Sequence, residues 1–103
     1  MNNIFGSIPC EIDKEIFTDL FKHENIRIER IVSKGQISPE NGYYDQNENE
    51  WVMVLQGAGI IAFDDDSEVK LEKGDYLNIP KNKKHKVTWT DPDFVTIWLA
   101  IFY

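Results

Sequence analysis

Apolar residues along this chain come in short runs divided by turn-forming clusters, and after Asn25 the runs follow the two-residue period of β-strands. The pattern predicts strands at Ile26–Ser33, Glu50–Gln56, Gly59–Phe63, Glu68–Leu71, Tyr76–Ile79, His85–Thr90 and Val95–Phe102. Between them lie clusters such as Asp64-Asp65-Asp66-Ser67 and Glu72-Lys73-Gly74-Asp75. In these, Gly accepts a positive φ and Asx side chains bond their own backbone. One stretch follows a different period. Ile12, Ile16, Phe17, Leu20 and Phe21 fall on one face of a 3.6-residue repeat, with Asp13 placed as an N-cap, which predicts a short N-terminal helix. The expectation is all-β: an antiparallel sandwich or barrel over 26–103, with residues 1–25 as a helical segment packed on it, the whole of 1–103 forming one domain.

Two of the predicted strands, Glu50–Leu55 and Val95–Phe102, are apolar on both faces. One face fills the interior, and the other needs a cover, either the N-terminal helix or a second copy of the chain. With Trp98 and Phe102 placed on the outward side, a homodimer is expected. Composition narrows the function classes. The chain has 103 residues and a formal net charge of −7, which argues against nucleic-acid binding through general electrostatic attraction. Its one cysteine, Cys10, excludes an internal disulfide framework and a Cys-based zinc cage. No apolar run approaches the roughly 18 residues of a membrane span. The opening MNNIFGSIPCEIDKE has neither the basic nor the apolar region of a secretory signal. A cytoplasmic protein with no membrane or nucleic-acid partner is expected.

Candidate chemistry concentrates in two segments. The first runs from Gly42-Tyr43-Tyr44-Asp45-Gln46 through Glu50 to Gly57. The second runs from Gly74-Asp75-Tyr76-Leu77-Asn78-Ile79-Pro80 through His85 to Trp89. In order and spacing this pair resembles the two motifs of the cupin superfamily. The first family motif is a Gly, a His-x-His pair, a Glu and a closing Gly; the second is a Gly, Pro-x-Gly, a His and an Asn. The resemblance covers about residues 26–103 and implies a cupin jelly-roll β-barrel. It also implies one divalent transition metal (Fe, Mn, Ni or Zn), held by the three histidines and the glutamate.

Here the first His pair is gone, with Tyr44 and Gln46, or Tyr43 and Asp45, in its place. Asn82 stands for the Gly of Pro-x-Gly and Trp89 for the Asn. Glu50 and His85 remain as conventional ligands. Strand parity puts Tyr44, Gln46, Glu50, Val52 and Val54 on one face, and His85, Val87 and Trp89 on another. The predicted pocket therefore holds Glu50, His85, Gln46 and Tyr44, walled by Val52, Val54, Val87 and Trp89. Asp45 points away unless a bulge shifts the register. Two readings stay open for a small-molecule ligand. One is a metal-dependent enzyme of isomerase, dioxygenase or decarboxylase type, with Glu50 and His85 catalytic and Glu50, His85 and Gln46 or Asp45 as metal ligands. The other is a metal-free, non-catalytic metabolite-binding or sensor domain in which Glu50 and His85 pair with each other. The lysines at 81, 83, 84 and 86 read as a solvated turn, with an anion-binding rim at the barrel mouth as the alternative.

Overall fold

The computed structural model describes residues 1–103, and it contains eight strands and no helix. These are β1 (Ile16–His23), β2 (Ile26–Ser33), β3 (Glu50–Gln56), β4 (Ala58–Phe63), β5 (Glu68–Glu72), β6 (Tyr76–Ile79), β7 (His85–Thr90) and β8 (Thr96–Phe102). They form a five-stranded sheet, in the order β1-β2-β8-β3-β6, and a three-stranded sheet, in the order β5-β4-β7. The two sheets are not joined into one hydrogen-bonded cylinder. The architecture is a two-sheet jelly roll in place of the closed barrel expected.

The predicted N-terminal helix is strand β1. Ile16–His23 pairs antiparallel with β2 from Ile16–Val32 to His23–Ile26, through a tight turn at Glu24 and Asn25. The pairing register shifts between Asp19 and Phe21. A bulge resets strand parity, so apolar residues at 16/17 and 20/21 reproduce a helical spacing on an edge strand. Ile, Phe and Thr also suit a strand once a partner is present.

The core lies between the sheets. The inner face of the large sheet carries Val52, Val54, Ile79, Trp98, Ala100 and Phe102, and Ile61 and Leu71 face it from the small sheet. Trp98 is 2% and Phe102 5% exposed, so both point inward, contrary to the outward placement expected. The register pairs Phe102 with Arg27 on one side and Glu50 on the other, leaving Ile97, Leu99 and Ile101 on the outer face. Part of that outer face is already occupied. Arg30 donates from Nη1 to the carbonyls of Ile4 (3.1 Å) and Gly6 (2.6 Å), anchoring the N-terminal segment beside buried Val32 and Ile97. Gly59 lets the sheets approach: a Cβ there would overlap the Trp98 indole.

Candidate functional site

Residues of β1, β2, β3, β4, β7 and β8, with the segment leading into β3, line a partly open cavity of about 160 Å³. His85 opens β7, and its backbone is held on both sides. It pairs with Phe63 of β4, and with Tyr44 through Tyr44 N to His85 O (2.7 Å) and His85 N to Tyr44 O (3.1 Å). The turn before it is set by Asn82, at φ 63°, whose amide donates to the Gln46 carbonyl (2.8 Å). Asn tolerates this left-handed conformation, so it can stand where the motif has Gly.

His85 Nδ1 lies 2.9 Å from the Lys83 carbonyl, which can only accept, so Nδ1 carries a hydrogen. The other ring nitrogen, Nε2, lies 3.3 Å from Glu50 Oε1. Gln46 Nε2 donates to the same carboxylate oxygen (2.9 Å). Burial pulls the imidazole pKa down, but the Glu50 contact and the Lys83 carbonyl outweigh it and leave His85 above its ordinary 6.5. The Tyr44 ring packs against the imidazole at 5.6 Å, and its hydroxyl hydrogen-bonds Ser38. Burial is the first cause that raises Tyr44 above its ordinary 10.0, and Glu15, Glu50 and Glu29 push the same way against the Ser38 hydrogen bond.

Of the residues expected in the pocket, Glu50, His85, Gln46, Tyr44, Val52 and Val87 line this cavity. Val54 shares their face but lies fully buried in the core, outside the cavity lining. Asp45 is exposed and absent from the lining, as parity predicted for an extended strand. Trp89 is a correction. The register shifts between Ile60 and Ile61, which pair with Trp89 and Val87 respectively, so Thr88 is an extra residue. That bulge turns Trp89 outward, where Lys70 Nζ sits 5.4 Å from its ring, and buries Thr90. The lysines at 81, 83, 84 and 86 are also absent from the lining. Lys83 and Lys86 rest on the rings of Phe63 and Tyr43, at 4.8 and 4.6 Å.

The far end of the cavity was missed by sequence reasoning. Glu15 and Phe17 enter from the chain around β1, and Arg27, Glu29 and Ile31 from alternate positions of β2. Parity groups Arg27, Glu29 and Ile31 on one face of β2, opposite Ile26, Ile28, Arg30 and Val32, but parity cannot say which face turns toward His85. Glu15 accepts a hydrogen bond from Ser33 Oγ (2.7 Å). The Arg27 guanidinium lies 4.1 Å over the Phe102 ring and 3.6 Å from both Glu29 and Glu48. Burial raises Glu29 above its ordinary 4.5; Arg27 opposes the rise, and Asp19, Glu50 and Glu15 add to it.

This donor set does not fit a resident transition metal. One imidazole and one carboxylate converge and already contact each other, and the adjacent amide hydrogen-bonds that carboxylate. No group of three His, Cys, Asp or Glu side chains has metal-site geometry. A first-row metal at two protein donors would rely on water for the rest of its shell.

Comparisons with known proteins bear on this arrangement. The family described as "Cupin domain" matches residues 28–102. A crystal structure of a candidate mannose-6-phosphate isomerase from Ralstonia eutropha is similar at 38% identity and a TM-score of 0.92, over 99% of this chain and 95% of that one. A cupin superfamily protein from Desulfitobacterium hafniense is similar at 20% identity and a TM-score of 0.75, over 92% of this chain and 82% of that one. An RmlC-like cupin family protein with a double-stranded β-helix fold, from Methanocaldococcus jannaschii, is similar at 15% identity and a TM-score of 0.73, over 93% and 85%. The last two likenesses concern the fold alone. Comparison with curated proteins finds no match. No helix of the chain is long and apolar enough to cross a membrane.

Proposed function

The chain belongs to the cupin domain family, and from that premise we propose that it is a metal-independent cupin that binds a small polar organic molecule and exchanges a proton with it through His85 and Glu50. Cupins often bind a metal, and this chain keeps two of the four usual ligand positions. The observation that carries the reading is the buried contact between His85 Nε2 and Glu50 Oε1 at the wall of a partly open cavity. An imidazole fixed by a backbone carbonyl on one side and a carboxylate on the other has a defined orientation and a supported positive charge. Such a pair can give a proton to a carbonyl oxygen or accept one from an adjacent carbon.

The Ralstonia protein's designation points the same way in reaction class. Interconverting an aldose and a ketose requires a proton to move between neighbouring carbons, and 38% identity over nearly the full length favours a related chemistry. We place the protein in the cytoplasm, where its exposed free Cys10 suits a reducing compartment. A homodimer would cover the half-buried outer-face residues Ile28, Trp51, Met53, Leu99 and Ile101, and sedimentation at twice the 12.0 kDa chain mass is the expected result.

The test has two measurements. After dialysis against chelator, metal content should fall far below one ion per chain with the fold and the ligand-binding cavity intact. In D₂O, the protein should speed deuterium uptake next to the carbonyl of small hydroxy- and aminocarbonyl compounds, and His85→Gln should abolish this. A stoichiometric metal that resists dialysis and is lost in His85→Gln would favour the metal-dependent enzyme instead. Binding without exchange would favour the non-catalytic sensor.

A further inference from the structure

Beside His85 the cavity wall carries two hydroxyls, those of Tyr44 and Ser38. Tyr44 pairs through its backbone with His85, and Ser38 with Val87, where Ser38 N donates to Val87 O (3.0 Å) and Val87 N to Ser38 O (2.7 Å). His85 and Val87 lie two apart on β7 and both line the cavity, so their partners reach it side by side. The two hydroxyls hydrogen-bond each other, and neither has another protein partner. Each carries one hydrogen, and the bond between them uses one of the two. Whichever residue donates within the pair, one O–H hydrogen is left for a group in the cavity. Ser38 is 6% exposed, and burial raises the Tyr44 phenol above its ordinary 10.0, so the pair keeps both hydrogens through the neutral range. Two further buried donors on lining residues, Arg27 Nε and Trp98 Nε1, also lack partners. What this wall lacks is acceptors, and an oxygen brought by the ligand supplies one.

We propose that the Tyr44–Ser38 hydroxyl pair is the oxygen-binding subsite of this cavity, and that the ligand is an uncharged ketone or aldehyde with a hydrogen on the neighbouring carbon. This rests on the proposed proton-exchange site and names its substrate class. The carbonyl oxygen accepts the spare hydrogen, and the adjacent carbon then faces His85, whose ring lies 5.6 Å from that of Tyr44. There the C–H bond breaks and its proton passes to the His85–Glu50 pair. The electron pair forms the enol double bond, and the negative charge collects on the oxygen. The hydroxyl pair stabilises that charge through the hydrogen bond already in place. Return of a proton from the His85–Glu50 pair to the carbon restores the carbonyl compound. Val52, Ile61, Val87 and Phe102 line the same space and suit a hydrocarbon frame. An anion would meet Glu50 there, and the one guanidinium of the lining, Arg27, is already shared between Glu29 and Glu48.

Cyclopentanone and methylenecyclopentane test this on the full chain, since they share a shape and only the ketone has an oxygen. A cavity of about 150 Å³ accepts a benzene ring, so a five-membered ring fits the available space. Binding is followed by NMR at the His85 ring and the Trp98 indole, both part of the cavity wall. The quantity read is the ratio of the two dissociation constants, because a change in packing alone weakens both compounds together. Removing both hydroxyls, with Tyr44→Phe and Ser38→Ala combined, should move that ratio about tenfold against the ketone, as expected for one buried hydrogen bond. In D₂O the wild-type protein should exchange the hydrogens next to the ketone carbonyl, and the double variant should do so about a hundredfold more slowly. If the double variant fails to fold, Ser38→Ala alone should move the ratio about threefold, since Tyr44 then lacks the partner that orients its hydroxyl. An unchanged ratio overturns the oxygen subsite, and exchange that continues undiminished in the same variant leaves the proton-exchange site standing without it. A shifted ratio with no exchange by the wild-type protein supports the subsite and removes the proton-exchange reading. If neither compound moves either resonance, the subsite falls and the cavity itself is not a ligand site.

Discussion

At the His85 end of the cavity the polar side chains answer one another at hydrogen-bond distance, whereas at the Glu29 end one guanidinium, Arg27, is shared between Glu29 and Glu48 at 3.6 Å and its buried Nε has no hydrogen bond. The His85 end is pinned by backbone pairing to Phe63 and Tyr44 on either side. The Glu29 end is built from β1 and β2, with β1 at the edge of the large sheet and Phe17 half exposed. A fully satisfied pair in a fixed frame suits a chemical role, because its geometry does not depend on the ligand. A looser ion pair beside an edge strand suits recognition, because its partners can shift to meet a ligand.

The largest effect should come from the satisfied end. His85→Gln leaves Glu50 as a buried charge without its cation, and a loss of about 3 kcal/mol in urea unfolding is expected. The His85→Gln/Glu50→Gln pair should recover more than about 1 kcal/mol of this, since the two effects are coupled. A fully additive cycle would mean that the contact contributes nothing. Gly59→Ala acts on both ends together, because it drives a Cβ into the Trp98 indole that lines the cavity. Overpacking of this kind costs about 2 kcal/mol, to be measured as a shift in the denaturation midpoint with an unchanged slope.

The two ends should also differ in their pH windows. His85 binds its proton more tightly folded than unfolded, so its contribution to stability is full below about pH 6.5 and is lost as pH rises through the folded value. Glu29 is raised too, so it has the same sign in a lower window: its contribution is full below its ordinary 4.5 and declines as pH rises through the folded value. Stability measured from about pH 4 to 9 should therefore lose its acid-side slope in Glu29→Gln and its near-neutral slope in His85→Gln. If the two variants flatten the same window, the ends are not independent. The smallest effect is the net one of Glu29→Gln near neutral pH. Relief of a poorly solvated charge and loss of the Arg27 pair oppose each other, so the change should stay within about 1 kcal/mol.

Much of the site was legible before the structure. The resemblance to the cupin motifs joined Glu50 to His85 across thirty-five positions of sequence, and parity added Gln46, Tyr44, Val52 and Val87 while directing Asp45 elsewhere. Parity failed wherever a strand carries an extra residue. The bulge at Thr88 turned Trp89 outward, and the bulge after Asp19 gave β1 the spacing of a helix. Trp98 and Phe102 were misplaced for another reason. β8 is apolar on both faces, so nothing in its own sequence distinguishes the side that meets Glu50 and Arg27.

By itself the sequence determined the number and span of most strands, the turns between them and the two residues at the centre of the site. Those features depend on local periodicity, on turn chemistry and on the resemblance of two separate segments to the family's motifs. The tertiary structure alone decided that Ile16–His23 is a strand, which face of β8 is inside, and that Arg27 and Glu29 share a cavity with His85. Each depends on register between segments distant in the chain, and one unpaired residue in a strand exchanges its faces without altering the composition.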